Sequence, residues 1–339
     1  MKKRNILHII FIAALVIFFT YFLAFRKDSG QQNDKKASLA KEVENTEDKA
    51  ISEGSEQFVI FGVDSRSNQL GKGTRSDSIL LVNVDHSTKK IKVASIFRDC
   101  FVNIKGHGLD KITHAHSFGG PQLALDTVNT NFDLNLEKYI TVNFLNVIDL
   151  VNDLNGIKLD ITNEELKYIN KYIDELNTEV KHKSDHITTA GKQKVDGIQA
   201  VAYSRIRYTA GGDYKRSERQ RTVLFKVFAK AKTMNPLDLV DITNEMLKKI
   251  SSNYSSGEVT DLLYSLSKYK IEEMKGFPTK LWGGKIDGVW YGVPVTLESN
   301  VKKLHQYLYS EKNYKVSKTV KSISNEIHNY ADQPNENLN

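Results

Sequence analysis

Apolar residues recur along the chain in short blocks whose spacing switches between the period of a strand and that of a helix. Blocks rich in apolar and β-branched residues predict strands at 58–64, 78–84, 91–96, 156–160, 200–208 and 289–295. Blocks with helical spacing predict helices at 121–131, 220–234, 237–250, 259–266 and 299–309. Because strands and helices interleave and no repeat is visible, the pattern predicts one mixed α/β domain.

The N-terminal region has a different pattern. Three basic residues precede an apolar run at 6–25, which at about 20 residues is long enough to span a bilayer. Basic residues before the run favour a cytoplasmic tip at 1–5, although Arg26 and Lys27 weaken the asymmetry. No small-x-small cleavage site follows, so we expect an uncleaved transmembrane signal anchor.

The segment that follows the run, 26–57, is polar and charged, and we expect it to be a disordered extracytoplasmic spacer. The sequence therefore predicts a single-pass protein of the cell membrane with its N-terminus in the cytoplasm. Its folded domain is expected at 58–321 outside the cell, and the Asn- and Glu-rich end at 322–339 is expected to be a loose tail.

The overall charge points to an anionic partner. The formal net charge of +7 on 339 residues suits nucleic acid, an anionic membrane or an anionic polymer. Nucleic acid is excluded as a partner because an extracytoplasmic domain cannot reach DNA and no basic helix-turn-helix pattern is evident. The single cysteine, Cys100, cannot form an internal disulfide, and we interpret it as a small buried apolar residue.

Candidate phosphate chemistry is densest between Asp196 and Arg221. The expected strand at 200–208 places Arg205 and Arg207 on one face. The Ser-x-x-Gln pattern ending at Gln220 predicts a helix start with Arg216 along its first turn, where backbone N–H groups favour an anion. A solvated basic surface is the simpler interpretation, but the apolar neighbours of these arginines favour a partly buried strand. Such arginines need anionic partners, either carboxylates or a phosphate ligand.

The strands expected at 78–84 and 91–96 are joined by a turn-like segment at 85–90, so we expect them to form a hairpin, and charged residues lie where its strands end. Arg75 and Asp77 precede the first strand, and Arg98 and Asp99 follow the second. Loops beside strand ends are common positions for functional residues. Lys111 is a further candidate phosphate contact, whereas His114 and His116, which lack a metal-ligand pattern around them, are interpreted as structural.

Taken in order, these segments resemble the LytR-CpsA-Psr family of membrane-anchored cell-wall enzymes. The matching pieces, which cover 58–234, are GVDSR (62–66), RSDSI (75–79), SIFRD (95–99), DKITHA (110–115) with Gly119-Gly120, DGIQA (196–200), and YSRIR (203–207) followed by Gly212-Asp213 and RSERQ (216–220). Each piece is weak by itself, but six in order are a specific signal.

The resemblance implies a three-layer α/β/α sandwich with a central mixed β-sheet. It also implies transfer of a glycopolymer, as a phosphodiester, from a polyprenyl-pyrophosphate carrier to peptidoglycan of Gram-positive walls. Asp64 and Asp77 are implied to hold Mg²⁺. The pyrophosphate-binding set implied for this chain, with Lys111 added from the residues themselves, is Arg75, Arg98, Lys111, Arg205, Arg207, Arg216 and Gln220. The catalytic residues are expected to be Arg75, Asp77, Arg98, Asp99, Arg205 and Arg207.

Elementary chemistry supports this set, because phosphoryl transfer requires mainly positioning and charge neutralisation by a metal and by arginines. One departure from the family pattern is Phe97, which stands where proline is usual. Two other functions stay open: an anchored receptor that binds lipid-linked polymer without turnover, and a hydrolase that uses water as acceptor. A receptor would not need Asp64 and Asp77, so their presence favours catalysis.

Overall fold

A computed structural model describes residues 54–65, 69–180, 183–210, 212–234, 245–255, 269–272 and 274–331, together with 238, 242, 258 and 262. The predicted anchor at 6–25 and most of the predicted spacer lie outside these residues, as do six residues of the helix expected at 237–250 and all but Leu262 of the helix expected at 259–266. Within the described part of the chain, no helix is both long and apolar enough to span a bilayer.

A mixed β-sheet forms the centre of the fold. Among the described residues it contains seven strands: β1 (Ser55–Val63), β2 (Ser76–Asp85), β3 (Lys90–Ile96), β6 (Lys138–Asn143), β9 (Ser251–Ser252), β10 (Lys270–Ile271) and β11 (Lys275–Phe277). Three two-stranded sheets complete the strands: β4 (Phe101–Ile104) with β5 (Gly108–Lys111), β7 (Ile157–Ile161) with β8 (Gly191–Val195), and β12 (Leu281–Ile286) with β13 (Val289–Pro294).

The strand order brings several strand ends to one edge of the sheet. β2 lies between β1 and β3 and is antiparallel to both, which confirms the predicted hairpin. β6 runs parallel to β1, and β10 and β11 run parallel to β3. The carboxyl ends of β1, β3 and β6 therefore meet the amino end of β2 at one edge. Open α/β sheets commonly bind ligands at such an edge.

Helices surround the sheet. The described helices are α1 (Ile112–Phe132), α2 (Phe144–Asp153), α3 (Asn163–Glu179), α4 (Gly197–Arg205), α5 (Gly212–Ala231), α6 (Leu297–Tyr309) and α7 (Lys318–Ala331). Thr296 caps α6, because its hydroxyl accepts from the Ser299 N–H. Because successive side chains of a strand point to opposite faces, the sheet separates two parts of the hydrophobic core. Phe61 and Leu81 pack towards α1, α6 and α7, whereas Phe58 and Leu80 pack on the opposite face, towards Leu224 of α5. The predicted mixed α/β fold with a central mixed sheet is confirmed.

The strand predicted at 200–208 is wrong, because these residues form most of α4 and the turn after it. Asp196 caps this helix and forms a capping box with Gln199, and Ala200 and Tyr203 are buried in the helix. This local cap and the packing of successive helical turns override the strand propensity of Val201 and Tyr203. Arg205 and Arg207 are consequently not alternate residues of a strand.

Other element boundaries also differ from the predictions. α5 begins at Gly212, so Ser217 lies inside the helix and is buried rather than capping its start. The helix expected at 121–131 begins earlier, at Ile112, with non-helical backbone at Gly119 and Gly120. β1 begins at Ser55, so the domain starts before residue 58.

The predicted loose tail is wrong as far as Ala331, because 322–331 belongs to α7. Val320, Ile323 and Ile327 recur at helical spacing and are buried in the core beside α1 and α6. The polar composition of the segment concealed a narrow apolar stripe, which is sufficient to dock a helix. Residues 332–339 lie outside the described residues.

Truncating Ile327 tests the docking of α7. We expect Ile327→Ala to lower the free energy of unfolding by about 2 kcal/mol, because its side chain is 1% exposed and its loss leaves a cavity. Asn325→Ala, on the exposed side of the same helix, should change it by less than about 0.5 kcal/mol. Chemical denaturation of both variants measures the difference, and equal stabilities would contradict the packing of α7.

Candidate active site

A β-bulge places Asp77 at the sheet edge described above. Gly62 is opposite Ser78, whereas the next residue of β1, Val63, is opposite Ser76, so Asp77 is the extra residue on β2. Bulges bend a strand and redirect a side chain, and they are common beside functional sites. The bulge takes Asp77 out of the regular strand pairing at the end of β1.

Three arginines from separate elements surround the Asp77 carboxylate. Arg98 Nη1 is 2.8 Å from Oδ1, whereas Arg207 Nη2 and Arg216 Nη1 are 3.8 and 3.9 Å from Oδ2. The Arg216 side chain is 2% exposed, so its charge is withdrawn from water. Guanidinium groups bind phosphate oxygens in pairs and stay charged, so three of them converging on one point form a site suited to an anion. The cluster therefore favours a further anion.

Asp99 and Lys111 extend this cluster. Asp99 Oδ2 lies 3.4 Å from Arg98 Nε, and Oδ1 lies 3.1 Å from Lys111 Nζ. The Lys111 ammonium also lies 5.3 Å from the centre of the Tyr291 ring. Four cations, Arg98, Arg207, Arg216 and Lys111, thus meet the carboxylates of Asp77 and Asp99 at this edge.

Asp64 and Arg75 lie beside Asp77, but their side chains point to solvent. Asp64 directly follows β1, and its backbone N–H donates to the Arg75 carbonyl at 3.3 Å. Both side chains are exposed. The structure therefore brings these two predicted site residues to the same edge without an ion pair to the arginine cluster.

Arg205 reaches this edge from the end of α4. Its guanidinium carbon lies 5.6 Å from the centre of the Phe144 ring, and Phe144 begins α2 directly after β6. Its Nη1 atom is buried and has no hydrogen-bond partner among the described residues. Such an orphaned donor is stabilised when a ligand oxygen accepts from it. Gln220 is half-buried one turn after Arg216 on α5.

A buried histidine supports the loop that carries Arg75. His116 Nδ1 lies 2.9 Å from the Thr74 carbonyl oxygen, to which it can donate, and burial lowers the pKa of His116. The Gly73 N–H donates to the Ser117 carbonyl at 3.0 Å, and a Cβ on Gly120 would lie 3.3 Å from the Lys72 nitrogen. The structural interpretation of His116 is thus confirmed.

His114 is structural as well, since its Nδ1 lies 2.7 Å from Asp110 Oδ2, one helical turn earlier. The segment from Asp110 to Gly120 therefore contributes mainly support, and Lys111 is its contact with the charged cluster. Cys100 is fully buried, and burial raises the pKa of its thiol, as expected of an inert apolar residue.

Two other arginines of the basic run have different roles. Arg219 is held inside the protein, donating to Glu165 at 2.7 Å, to the Ile206 carbonyl at 3.0 Å and to the Thr209 hydroxyl at 2.7 Å. Arg221 was not predicted as a site residue. Burial lowers its pKa, and its Nη1 atom has no hydrogen-bond partner among the described residues. The sequence signal that could have identified Arg221 is its position at the end of the basic run 205–221.

Phe97 contributes a hydrogen bond that proline could not make. Its N–H donates to the Phe277 carbonyl at 2.8 Å and so continues the pairing of β3 with β11. Its ring contacts Tyr214 edge-on at 4.8 Å between centroids. Arg98 therefore directly follows the end of β3, which is hydrogen-bonded to β2 on one side and to β11 on the other.

The carboxylates at this edge fit a Mg²⁺ ion. Groups of three or more His, Cys, Asp or Glu side chains placed to hold a metal are absent from the described residues. Mg²⁺ does not require such a group, because it commonly takes one or two carboxylates and completes its shell with phosphate oxygens and water. Asp64 follows β1 and Asp77 lies at the paired end of β2, so these two residues would supply such a donor set.

Fold and site together define the class of protein. The chain belongs to the LytR_cpsA_psr family, whose model matches residues 20–307, and the predicted membership is confirmed. A relative is the polyisoprenyl-teichoic acid--peptidoglycan teichoic acid transferase TagT of Bacillus subtilis (strain 168), which is 30% identical over 263 residues, or 75% of this chain and 79% of that protein.

Two solved structures show the same fold. TagT bound to LIIa-WTA aligns with a TM-score of 0.62 at 27% identity and covers 77% of this chain and 91% of that one. The LytR-CPS2A-psr family protein YwtF (TagT) with bound octaprenyl pyrophosphate lipid aligns with a TM-score of 0.57 at 27% identity, covering 76% of this chain and 92% of that one.

Proposed function

We propose that this protein is a membrane-anchored phosphotransferase. It moves an anionic glycopolymer, such as wall teichoic acid or capsule, from a polyprenyl-pyrophosphate carrier to peptidoglycan and leaves a phosphodiester bond. The observation that carries the proposal is the convergence of three guanidinium groups, from Arg98, Arg207 and Arg216, on the Asp77 carboxylate at the sheet edge. Two of the relatives, a teichoic acid transferase and a family protein with bound octaprenyl pyrophosphate lipid, agree with it.

In the proposed reaction, the arginines replace their contact with Asp77 by contacts with the pyrophosphate oxygens. The acceptor hydroxyl oxygen attacks the phosphorus that carries the polymer, and a new P–O bond forms. The P–O bond to the lipid-linked phosphate breaks, and polyprenyl monophosphate leaves. The acceptor proton passes to one of the carboxylates at this edge, Asp64, Asp77 or Asp99. Arg98, Arg205, Arg207 and Arg216 neutralise the developing charge.

Two parts of the proposal concern groups beyond the described site. Asp64 and Asp77 would hold Mg²⁺, which would supply additional neutralisation of the pyrophosphate. The apolar run at 6–25 would anchor the chain in the cell membrane and place the domain on the extracytoplasmic side, near the lipid-linked donor and the wall.

Removing the charge of Asp77 gives two opposite expected effects. Asp77→Asn should lower the rate of transfer about a hundredfold or more, because it removes a metal ligand and a candidate base. In EDTA it should bind geranyl pyrophosphate more tightly than the wild type, because Asp77 no longer competes for the arginines. Asp160→Asn, an exposed position on β7, is the matched control and should behave as the wild type.

The experiment uses the full chain in detergent with a synthetic lipid-pyrophosphate-linked saccharide and peptidoglycan fragments, with and without Mg²⁺. Mass spectrometry follows the phosphodiester-linked product. Release of lipid monophosphate without a linked product would replace the proposal by hydrolysis. Tight lipid binding without any product, unaffected by Asp77→Asn or by EDTA, would replace it by a receptor.

A further inference from the structure

A second concentration of positive charge lines a cavity at the outer edge of the sheet. The cavity has a volume of about 740 Å³ and is bordered by β3, β10, β11 and α6. The lysines among its lining residues are Lys92, Lys270, Lys275 and Lys303. Because these lysines come from four elements, the fold rather than one local sequence brings them together.

The carboxylate that lines the cavity is already neutralised. Among the described lining residues this is Glu272, whose Oε1 lies 2.9 Å from the Nζ of Lys90. That hydrogen-bonded pair is the first cause of a lowered pKa for Glu272, and the charges of Lys92 and Lys270 lower it further. The described contacts of the lining lysines include neutral groups: Lys92 donates to the Ser310 hydroxyl at 3.0 Å, and Lys275 lies 5.1 Å from the centre of the Tyr307 ring.

The cavity lies along the strand that leads to the arginine cluster. β3 carries Lys92, and its chain continues through Phe97 to Arg98. Six residues of extended chain span about 20 Å, so a polymer of several repeats can reach from one group to the other.

Arg221 adds to the charge near the shared end of β3 and β11. A Cβ on Gly276 would lie 2.7 Å from the Phe97 ring and 3.3 Å from Arg221 Nη1, so this guanidinium packs beside the pairing of β11 with β3. The lysines therefore place positive charge at the cavity, and Arg221 places positive charge beside Phe97, next to Arg98.

We propose that this lysine cavity binds the phosphodiester backbone of the glycopolymer, several repeats from the phosphate that is transferred; this inference rests on the proposed function. Lysine ammonium groups are compact charges that suit repeated single phosphates, whereas the arginines of the main cluster suit a pyrophosphate. Gln306 and Thr279 line the same cavity and can bond to sugar or polyol hydroxyls. A concave cavity favours a chain over the flat surface of a membrane.

The test measures binding of a fluorescent oligo(glycerol phosphate) that carries neither lipid nor pyrophosphate. The variant is the full chain in detergent with Lys270→Gln, Lys275→Gln and Lys303→Gln together. The matched control carries Lys158→Gln, Lys167→Gln and Lys192→Gln, three exposed lysines on or beside the β7–β8 hairpin. Because both variants lose the same net charge, a general electrostatic effect is removed from the comparison.

We expect the cavity variant to bind the oligomer about tenfold more weakly at low salt, and with a weaker salt dependence, while the control stays within about twofold of the wild type. Binding of geranyl pyrophosphate should be unchanged in the cavity variant and lost in Arg205→Ala. Equal oligomer binding by the cavity variant and the wild type, or an equal loss in the control, would overturn the proposal. Binding to phosphatidylglycerol vesicles is measured as well. A cavity variant that loses vesicle binding but binds the oligomer as the wild type does would overturn the proposal in favour of a membrane contact.

Failure of the proposed function gives a different pattern. In that case the lipid-linked donor yields no product, and geranyl pyrophosphate binding does not depend on Arg205. This outcome is independent of how tightly the cavity variant binds the oligomer. Loss of oligomer binding in the cavity variant alone, with transfer of short saccharides intact, supports the cavity as a polymer site of a working transferase.

Discussion

Arg205→Ala should lower polymer transfer about a hundred- to a thousandfold while changing the free energy of unfolding by less than about 1 kcal/mol. The large loss is expected because Arg205 brings a buried Nη1 donor, with no hydrogen-bond partner among the described residues, to the edge that carries Asp77. The small effect on stability is expected because no ion pair of Arg205 is present among the described residues, and its guanidinium lies over the Phe144 ring at 5.6 Å. Stability and activity should therefore separate at this residue.

Two further variants test the role of the guanidinium shape. Arg205→Lys keeps the charge but loses the planar fork, so it should recover only a small part of the activity. Lys167→Ala, an exposed position on α3, is the control and should transfer polymer at the wild-type rate. Single-turnover transfer and thermal unfolding are measured on the same preparations. A transfer rate for Arg205→Ala within tenfold of the wild type would remove this residue from the site.

The residues that meet at the candidate site could be proposed from the sequence because short charged motifs single them out without a correct secondary structure. Arg205 and Arg207 were expected on one strand face, yet they lie at the end of α4 and just beyond it. Arg207 still reaches Asp77, because the turn after α4 brings it back to the sheet edge. The types of residue were predictable, whereas their geometry depended on helix packing.

The bulge at Asp77 could not be predicted. Its evidence is a shift in the pairing of β1 with β2, and neither strand shows that shift in its own pattern of apolar residues. The same limit applies to Arg221, whose environment is formed by Gly276 and Phe97, residues more than fifty and one hundred positions away in the chain. The docking of α7 is hard to predict because its buried apolar stripe is narrow and lies in a segment of polar composition.

Within the basic run, the structure separates arginines that face the site from one that holds the helices together. Arg219 is 5% exposed, and its three hydrogen bonds join α5 to α3 and to the turn after α4. Its guanidinium also lies 5.9 Å from the centre of the Tyr203 ring, and burial raises the pKa of that tyrosine to about 12. Arg219 is therefore expected to act on stability.

Arg219→Met should lower the free energy of unfolding by about 3–5 kcal/mol, because it leaves the buried Glu165 carboxylate without its cation. Glu165 Oε2 keeps its bonds to the Thr162 N–H and hydroxyl, at 2.9 and 3.0 Å, so Oε1 bears the loss. Adding Glu165→Gln removes the uncompensated charge and should restore part of the stability. The double variant is then more stable than Arg219→Met alone, with a coupling free energy of about 2 kcal/mol.

A double-mutant cycle by urea denaturation of Arg219→Met, Glu165→Gln and the double variant measures this coupling. If the effects of the two substitutions simply add, the buried pair contributes nothing specific, and the loss in Arg219→Met comes from packing alone. A positive coupling assigns Arg219 to the support of the turn that carries Arg207. Activity lost at Arg219 then reflects a displaced Arg207, whereas activity lost at Arg205 reflects the site itself.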